Sequence, residues 1–180
     1  MIGFGTMERT MKVEVSSQIK IRRPRAEVAA YTMNPDNARE WIANLKSVEW
    51  KPPLAVRSQI GLVAELFGRR LKYTYEIVAF APEKHLVMRT AHPFPMEMSY
   101  VWESTAEGGT RMRLRARCAP TGLSFLLVPM ITAELRRFNE KNLCRLKKRL
   151  EGQPCSSDAS SQYNYRDDVN ALTLRRSESY

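Results

Sequence analysis

Alternation of apolar and polar residues opens the ordered part of the chain and predicts a half-buried strand. Between Lys12 and Arg22 every second residue falls on one face, and these are Val13, Val15, Ser17, Ile19 and Ile21. Lysine, arginine, glutamate, glutamine and serine fill the positions between them. A period of two over this length is typical of a strand with one face in the core.

A short, broken helical region follows this strand. Pro24 suits the first turn of a helix, and Val28 and Tyr31, three apart, supply its buried face. Asn34-Pro35 ends that helix. Asn34 can cap a second helix and Pro35 can start it, and this second helix packs on the core through Trp41. The sequence therefore predicts two short helices after the first strand.

Six further strands are predicted between turns rich in proline and glycine. They cover Ser47–Trp50, Gln59–Phe67, Leu71–Phe80, Leu86–Ala91, Glu97–Thr105 and Arg111–Cys118. The third of these places Tyr73 and Tyr75 on an apolar face and Glu76 on the other. The last alternates apolar residues with four arginines, Arg111, Arg113, Arg115 and Arg117. Each strand thus has one apolar and one polar face.

The final part of the chain changes period. Apolar residues recur at steps of three and four from Val128 to Leu150, which predicts a helix from about Leu123 to Glu151. Its opposite face carries Arg136, Arg137, Lys141 and Arg145. Beyond Gly152 the composition is rich in serine, aspartate and glutamine and predicts a disordered tail. The domain organisation is an extension over 1–10, one domain over 11–151 and a tail over 152–180.

This order of elements resembles the helix-grip fold of the SRPBCC (START, birch-pollen-allergen-like) superfamily. The resemblance covers residues 11–151 and is closest to the polyketide cyclase/dehydrase and lipid-transport branch. It rests on Val13 to Ser16, Ile19, Pro24, Val28, Tyr31, Asn34-Pro35, Trp41, Gly61, Gly68 to Arg70, Tyr75 to Val78, Pro82, Gly109 to Arg111 and Leu146-Lys147. It implies an α+β fold: a seven-stranded curved antiparallel sheet around the long C-terminal helix, enclosing an apolar cavity that in relatives holds lipids, sterols, polyketides or hormones.

Candidate ligand-binding residues follow from the apolar faces of these elements. They are Trp41, Tyr73, Tyr75, Tyr100, Trp102, Met112, Leu114 and Phe138. Apolar walls with a few hydroxyl groups suit a small-molecule site, because the walls give affinity and the hydroxyls orient the guest. The alternative for each residue is ordinary core packing. Binding, with transport, of a hydrophobic small molecule is the first functional hypothesis.

Signals for catalysis are sparse. Glu76 is expected to point outward, which leaves Glu65 as the one candidate general acid or base for a cyclase or dehydratase, the alternative function. Catalytic triads and phosphate-binding glycine loops are missing from the sequence. The cysteines and histidines, Cys118, Cys144, Cys155, His85 and His92, do not have the spacing of a metal site. No cofactor or metal is expected.

The net charge of +10 raises the question of an anionic partner. The 152–180 tail is nearly neutral, so the positive excess belongs to the domain. Nucleic acid is disfavoured because no aromatic platform accompanies the arginines. An anionic membrane fits better, with Arg136, Arg137, Lys141 and Arg145 at its surface and the run Phe125–Val128 inserted into it.

The first ten residues do not resemble a signal peptide and no apolar run is long enough to span a bilayer, which predicts a cytoplasmic protein. The sequence does not indicate an oligomeric state.

Truncation after Glu151 tests the predicted tail. Because 152–180 offer only scattered apolar side chains, we expect the melting temperature to stay within a few degrees of the full-length value. Thermal unfolding followed by circular dichroism measures this. A large drop would show that the tail packs on the domain.

Overall fold

Seven strands and three helices follow one another in the predicted order. The computed structural model describes residues 13–66, 68–92, 94–119 and 128–152. The elements are β1 Val13–Ile21, α1 Arg25–Met33, a 3-10 turn Pro35–Asn37, α2 Ala38–Trp41, β2 Leu45–Trp50, β3 Gln59–Leu66, β4 Arg69–Ala81, β5 His85–Thr90, β6 Met96–Ser104, β7 Thr110–Cys118 and α3 Val128–Glu151. The predicted strands are confirmed to within about two residues at each described end. The N-terminal extension, the start of the last helix before Val128 and the tail beyond Gly152 lie outside the described residues.

The strands form one antiparallel sheet in the order β1-β7-β6-β5-β4-β3-β2. All neighbours from β2 to β7 are consecutive in sequence, so short hairpin turns join them. The exception is the connection from β1 to β2, which must cross from one edge of the sheet to the other and carries α1 and α2. Asn34 starts the second helical piece as predicted, since its side-chain oxygen accepts a hydrogen bond from Asp36 N at 3.0 Å.

Alternation along the strands gives the sheet an inner, buried face and an outer face. On β4, Tyr73, Tyr75 and Ile77 are buried while Glu76 is exposed, as predicted. On β7, the inward residues Met112 and Leu114 are almost completely buried. The inner face is the one that the three helices cover.

Helix α3 lies across the inner face and packs chiefly against β1 and α2. Its buried positions are Asn139, Asn142, Leu143 and Leu146. None of the helices in the described part of the chain combines the length and apolar character needed to cross a membrane.

The C-terminal end of α3 is fastened to the junction between β1 and α1. Glu151, whose side chain is 4% exposed, accepts a hydrogen bond from Arg22 N at 2.6 Å. Arg23 Nε donates to Leu150 O at 2.9 Å, and Arg23 O accepts from Thr110 Oγ1 at 2.7 Å. These bonds join β1, β7 and α3 at one end of the sheet, which we call the closed end.

Replacement of Glu151 by alanine tests this attachment. The change removes the carboxylate that accepts from Arg22 N, so we expect a loss of about 1–2 kcal/mol in the free energy of unfolding. Urea denaturation measures the loss, and Glu134→Ala, at an exposed glutamate of the same helix, is the matched control. Equal stability of the two variants would contradict the role assigned to the closed end.

Candidate ligand-binding interior

An aromatic network lies between the sheet and the helices. Trp41 of α2 packs edge-on against Tyr100 of β6 with ring centroids 5.9 Å apart, and Tyr100 contacts Trp102 in the same manner at 6.2 Å. On β4, Tyr73 and Tyr75 stack at 6.0 Å. Seven of the eight residues predicted to form the site belong to one buried cluster: Trp41, Tyr73, Tyr75, Tyr100, Trp102, Met112 and Leu114.

The eighth residue, Phe138 of α3, is only partly buried. Its neighbour Asn139 takes the deeply buried position instead, at 1% exposure. Sequence reasoning missed Asn139 because it favoured the apolar residue of the pair. The signal was present, since Leu135, Asn139 and Leu143 are spaced by four and share one helical face.

Several polar groups of this interior have no hydrogen-bond partner among the described residues. They are Trp41 Nε1, Trp102 Nε1, Tyr73 Oη, Asn139 Nδ2 and Ser17 Oγ. Each such group costs about 1–3 kcal/mol when it is buried and unpaired. Neighbouring polar groups are satisfied: Tyr75 Oη donates to Met96 Sδ at 3.0 Å, and Asn142 Oδ1 accepts from Ala43 N at 2.9 Å.

The buried phenol groups are held in their neutral form. Burial raises the pKa of Tyr100, and burial together with the neighbouring Tyr100 and Tyr73 raises the pKa of Tyr75. Burial, with a smaller contribution from Cys118, raises the pKa of Tyr73. Cys118 is a buried free thiol whose pKa burial also raises. At neutral pH these groups offer protons to hydrogen bonds and do not act as bases.

Partly exposed apolar side chains mark the end of the interior opposite the closed end. Leu62, Leu71, Met96 and Met98 are partly exposed although they pack against the aromatic cluster. They lie toward the β3–β4 hairpin and the β5–β6 connection. We call this end of the interior the mouth.

Two features mark the mouth. Phe94, in the β5–β6 connection, stands edge-on to Tyr73 with ring centroids 6.4 Å apart. A groove of about 420 Å³ runs beside it over the edge of the sheet. The groove has apolar walls from Val13, Met96 and Cys118, and its other walls include charged side chains of the outer face.

The arginines of β7, which form a basic row in the sequence, are mostly neutralised by carboxylates. Arg115 and Arg117 bind the two carboxylate oxygens of Glu14 at 2.6 and 2.8 Å, and Arg111 lies 3.7 Å from Glu103. Partial burial works to raise the pKa of Glu14, but hydrogen bonds and charge from Arg117 and Arg115 outweigh it and hold that pKa below its usual value.

Glu65, the catalytic candidate, lies outside the interior. Ile60, Leu62 and Ala64 of β3 pack in the aromatic cluster, so alternation turns Glu65 to the outer face. Its side chain is 44% exposed, and its Oε2 lies 3.0 Å from Lys46 Nζ. The buried carboxylate that the sequence suggested is therefore a surface ion pair.

The basic face of α3 divides into two parts. Arg136, Arg137 and Lys141 are exposed and form no ion pair with any residue that the structure describes. Arg145 differs from them, because it is partly buried and its Nη2 donates to Glu40 O at 3.1 Å. Arg145 thus holds α2 to α3, whereas the other three face solvent. The rest of the predicted membrane surface, Phe125–Leu127, lies outside the described residues.

Comparison with known proteins agrees with this geometry. The family described as polyketide cyclase / dehydrase and lipid transport matches residues 12–151. The chain belongs to this family. The helix-grip fold and the SRPBCC membership expected from the sequence are thereby confirmed. No curated protein matches the sequence.

Solved structures of the superfamily share the fold at low sequence identity. TTHA0849 from Thermus thermophilus is 19% identical with a TM-score of 0.67, covering 77% of this chain and 97% of that one. A START superfamily protein from Mycobacterium smegmatis is 13% identical with a TM-score of 0.67, covering 78% and 98%. The Zhui aromatase/cyclase from a Streptomyces species is 11% identical with a TM-score of 0.68, covering 78% and 94%.

Proposed function

We propose that this member of the polyketide cyclase/dehydrase and lipid-transport family binds a hydrophobic small molecule, lipid or polyketide-like, between its sheet and α3, and carries it. The observation behind the proposal is the interior itself, an aromatic cluster with unpaired polar groups whose apolar side chains are partly exposed at one end. Membership of a family whose description includes lipid transport supports it.

The packing of α3 supports a guest in this place. The helix packs chiefly on β1 and α2, so it covers the inner faces of the middle strands less closely. A guest that covers about 200 Å² of apolar surface there gains roughly 5 kcal/mol from burial. Entry at the mouth leaves the hydrogen bonds of the closed end intact.

Ordinary core packing accounts for the interior less well. If the interior served only the stability of the fold, phenylalanine in place of Tyr73 would raise the free energy of unfolding, because the Tyr73 hydroxyl group is buried without a hydrogen-bond partner. The same argument applies to Asn139, where leucine fits the pattern of the helix. Unpaired polar groups are expected where a ligand supplies the missing partners.

A cyclase or dehydratase reaction is the second possibility, because a relative of the same fold is named an aromatase/cyclase. It needs a general acid or base in the interior. Glu65 is on the outer face, and burial keeps Tyr73, Tyr75 and Tyr100 neutral. The described residues therefore favour binding over catalysis, and a buried tyrosine would be the proton donor for any reaction.

Copurification and tryptophan fluorescence test the proposed binding. We expect mass spectrometry of a solvent extract to find an apolar compound in near-stoichiometric amount, and Nile red to bind the delipidated protein saturably. Trp41 and Trp102 lie in the interior, whereas Trp50 donates to Asp36 Oδ1 at 2.9 Å near the surface. Nile red should therefore still quench the Trp50→Phe variant strongly, and quench Trp41→Phe and Trp102→Phe less. An extract without such a compound, together with no saturable Nile red binding, would rule the function out.

We further propose that the exposed basic face of α3 docks the protein on an anionic bilayer. In contrast to the paired arginines of β7, Arg136, Arg137 and Lys141 are free to meet lipid head groups. Met130, 57% exposed in the first described turn of the same helix, adds an apolar contact. A carrier of apolar molecules needs such a surface, since its cargo resides in membranes.

Vesicle sedimentation tests the docking surface. The variant Arg136→Gln/Arg137→Gln/Lys141→Gln should lose roughly 3 kcal/mol of affinity for vesicles of phosphatidylcholine and phosphatidylserine at low salt, at about 1 kcal/mol per charge. The control Lys51→Gln/Lys72→Gln/Lys84→Gln removes three exposed cations elsewhere and should bind nearly normally. Arg145 stays unchanged because of its bond to Glu40 O. Equal losses in both variants would show that net charge, and not this face, drives binding.

A further inference from the structure

The unpaired polar groups of the interior share one chemical property, which is that all of them can donate a hydrogen bond. Trp41 Nε1, Trp102 Nε1 and Asn139 Nδ2 are donors only, while the hydroxyls of Tyr73 and Ser17 donate or accept. They come from five elements, α2, β6, α3, β4 and β1. A guest that satisfies them must bring acceptors.

The buried part of the described interior holds no cation. Its buried polar residues are Thr32, Thr90, Thr110, Asn139 and Asn142. The three threonine hydroxyls already donate to backbone carbonyl oxygens at 2.7–2.9 Å. An ionised carboxylate or phosphate buried here would lack a positive partner, and burial of an unpaired charge costs several kcal/mol. The acceptors of the guest must therefore be neutral oxygens.

The donors lie at two depths. The two indole groups flank Tyr100, at ring distances of 5.9 and 6.2 Å, in the body of the cluster. Tyr73 lies nearer the mouth, where it contacts Phe94. Acceptors gathered at one end of a guest would reach only one of these places.

From this arrangement we propose that the guest is a neutral, oxygenated apolar molecule whose ketone, quinone, ester or ether oxygens are distributed along its frame. This inference rests on the proposed binding function and narrows it. Hydrocarbons lack the acceptors, and ionised fatty acids carry a charge at one end that the interior does not neutralise.

Selectivity follows from the cost of leaving donors unpaired. A site built to hydrogen-bond a guest discriminates strongly against an analogue without the matching group. Since the donors already lack partners in the free protein, a guest with acceptors gains the bonds without displacing existing ones. Its preference over an acceptor-free analogue is expected to be about 2–10-fold for each bond formed.

A matched set of tricyclic probes tests the inference on the full-length, delipidated protein. Fluorene has no acceptor, 9-fluorenone replaces its methylene group by a carbonyl, and fluorene-9-carboxylate is anionic at pH 7. We expect equilibrium dialysis to give the highest affinity for 9-fluorenone, by about 2–10-fold over fluorene, although the methylene compound is the more hydrophobic. The carboxylate should bind most weakly.

Two substitutions remove a donor: Tyr73→Phe deletes one hydroxyl group, and Asn139→Leu keeps the branching of the side chain but is bulkier. Because one carbonyl reaches donors at one depth only, at least one of the two variants should reduce the preference for 9-fluorenone while leaving fluorene binding within about twofold. Tyr73→Phe should not lower the melting temperature, because the lost hydroxyl is unpaired in the free protein. Tyr31→Phe is the matched control, since its hydroxyl donates to Glu40 outside the interior at 2.7 Å. It should change neither affinity.

The results separate this inference from the function beneath it. Three results would overturn the neutral-acceptor inference while leaving a hydrophobic site in place. In the first, fluorene binds as tightly as 9-fluorenone; in the second, the carboxylate binds most tightly. In the third, Tyr73→Phe and Asn139→Leu weaken the binding of both neutral probes equally. Failure of all three probes would also overturn it. The proposed function falls only if, in addition, the solvent extract and Nile red show no ligand binding.

Discussion

The structure depends on one constraint, which is that one long helix and two short ones must cover the apolar face of a seven-stranded sheet. Helix α3 has 24 described residues and packs chiefly on β1 and α2. On the middle strands, β4 and β6 supply large rings to this face, including Tyr73, Tyr75, Tyr100 and Trp102. The aromatic interior thus helps to cover a wide sheet with little helix, and in the proposed function it supplies both the core and the walls of the binding site.

Polar contacts hold α3 unevenly along its length. Asn142 binds Ala43 N, Arg145 binds Glu40 O, and Glu151 binds Arg22 N, all in the C-terminal half of the helix. The described N-terminal half is held to the rest of the domain by apolar contacts, such as those of Val128 and Leu135 with Val13 and Val15. Apolar contacts are not directional and tolerate small shifts, so the mouth can adjust to a guest while the closed end keeps its geometry.

The sequence predicted most of the fold because period and face are local properties. The alternation in β4 and β7 was enough to assign Tyr73 and Met112 to the interior and Glu76 to the surface. It was not enough to assign neighbours across strands. Glu14 faces Arg117 only because β1 and β7 pair in that register, and the same holds for Lys46 and Glu65 on β2 and β3. Arg145 has the spacing of a surface residue, and only the position of α2 reveals its bond to Glu40. Whether Asn139 or Phe138 is buried also depends on how α3 is rotated about its own axis against the sheet. The spacing of apolar residues in the sequence determines that rotation only to within about one residue.

The two faces of α3 connect the two proposals. Asn139 is buried with an unpaired donor, and Arg137 and Lys141, on the opposite side of the same turns, face solvent. Under the proposed docking, a bilayer at the basic face would lie near the half of the helix that apolar contacts secure, next to the mouth, while the hydrogen bonds that fix the helix are at its other end. Release or uptake of a neutral guest would then be favoured at the membrane, because an apolar guest that passes from the protein into a bilayer avoids the free-energy cost of exposing its apolar surface to water.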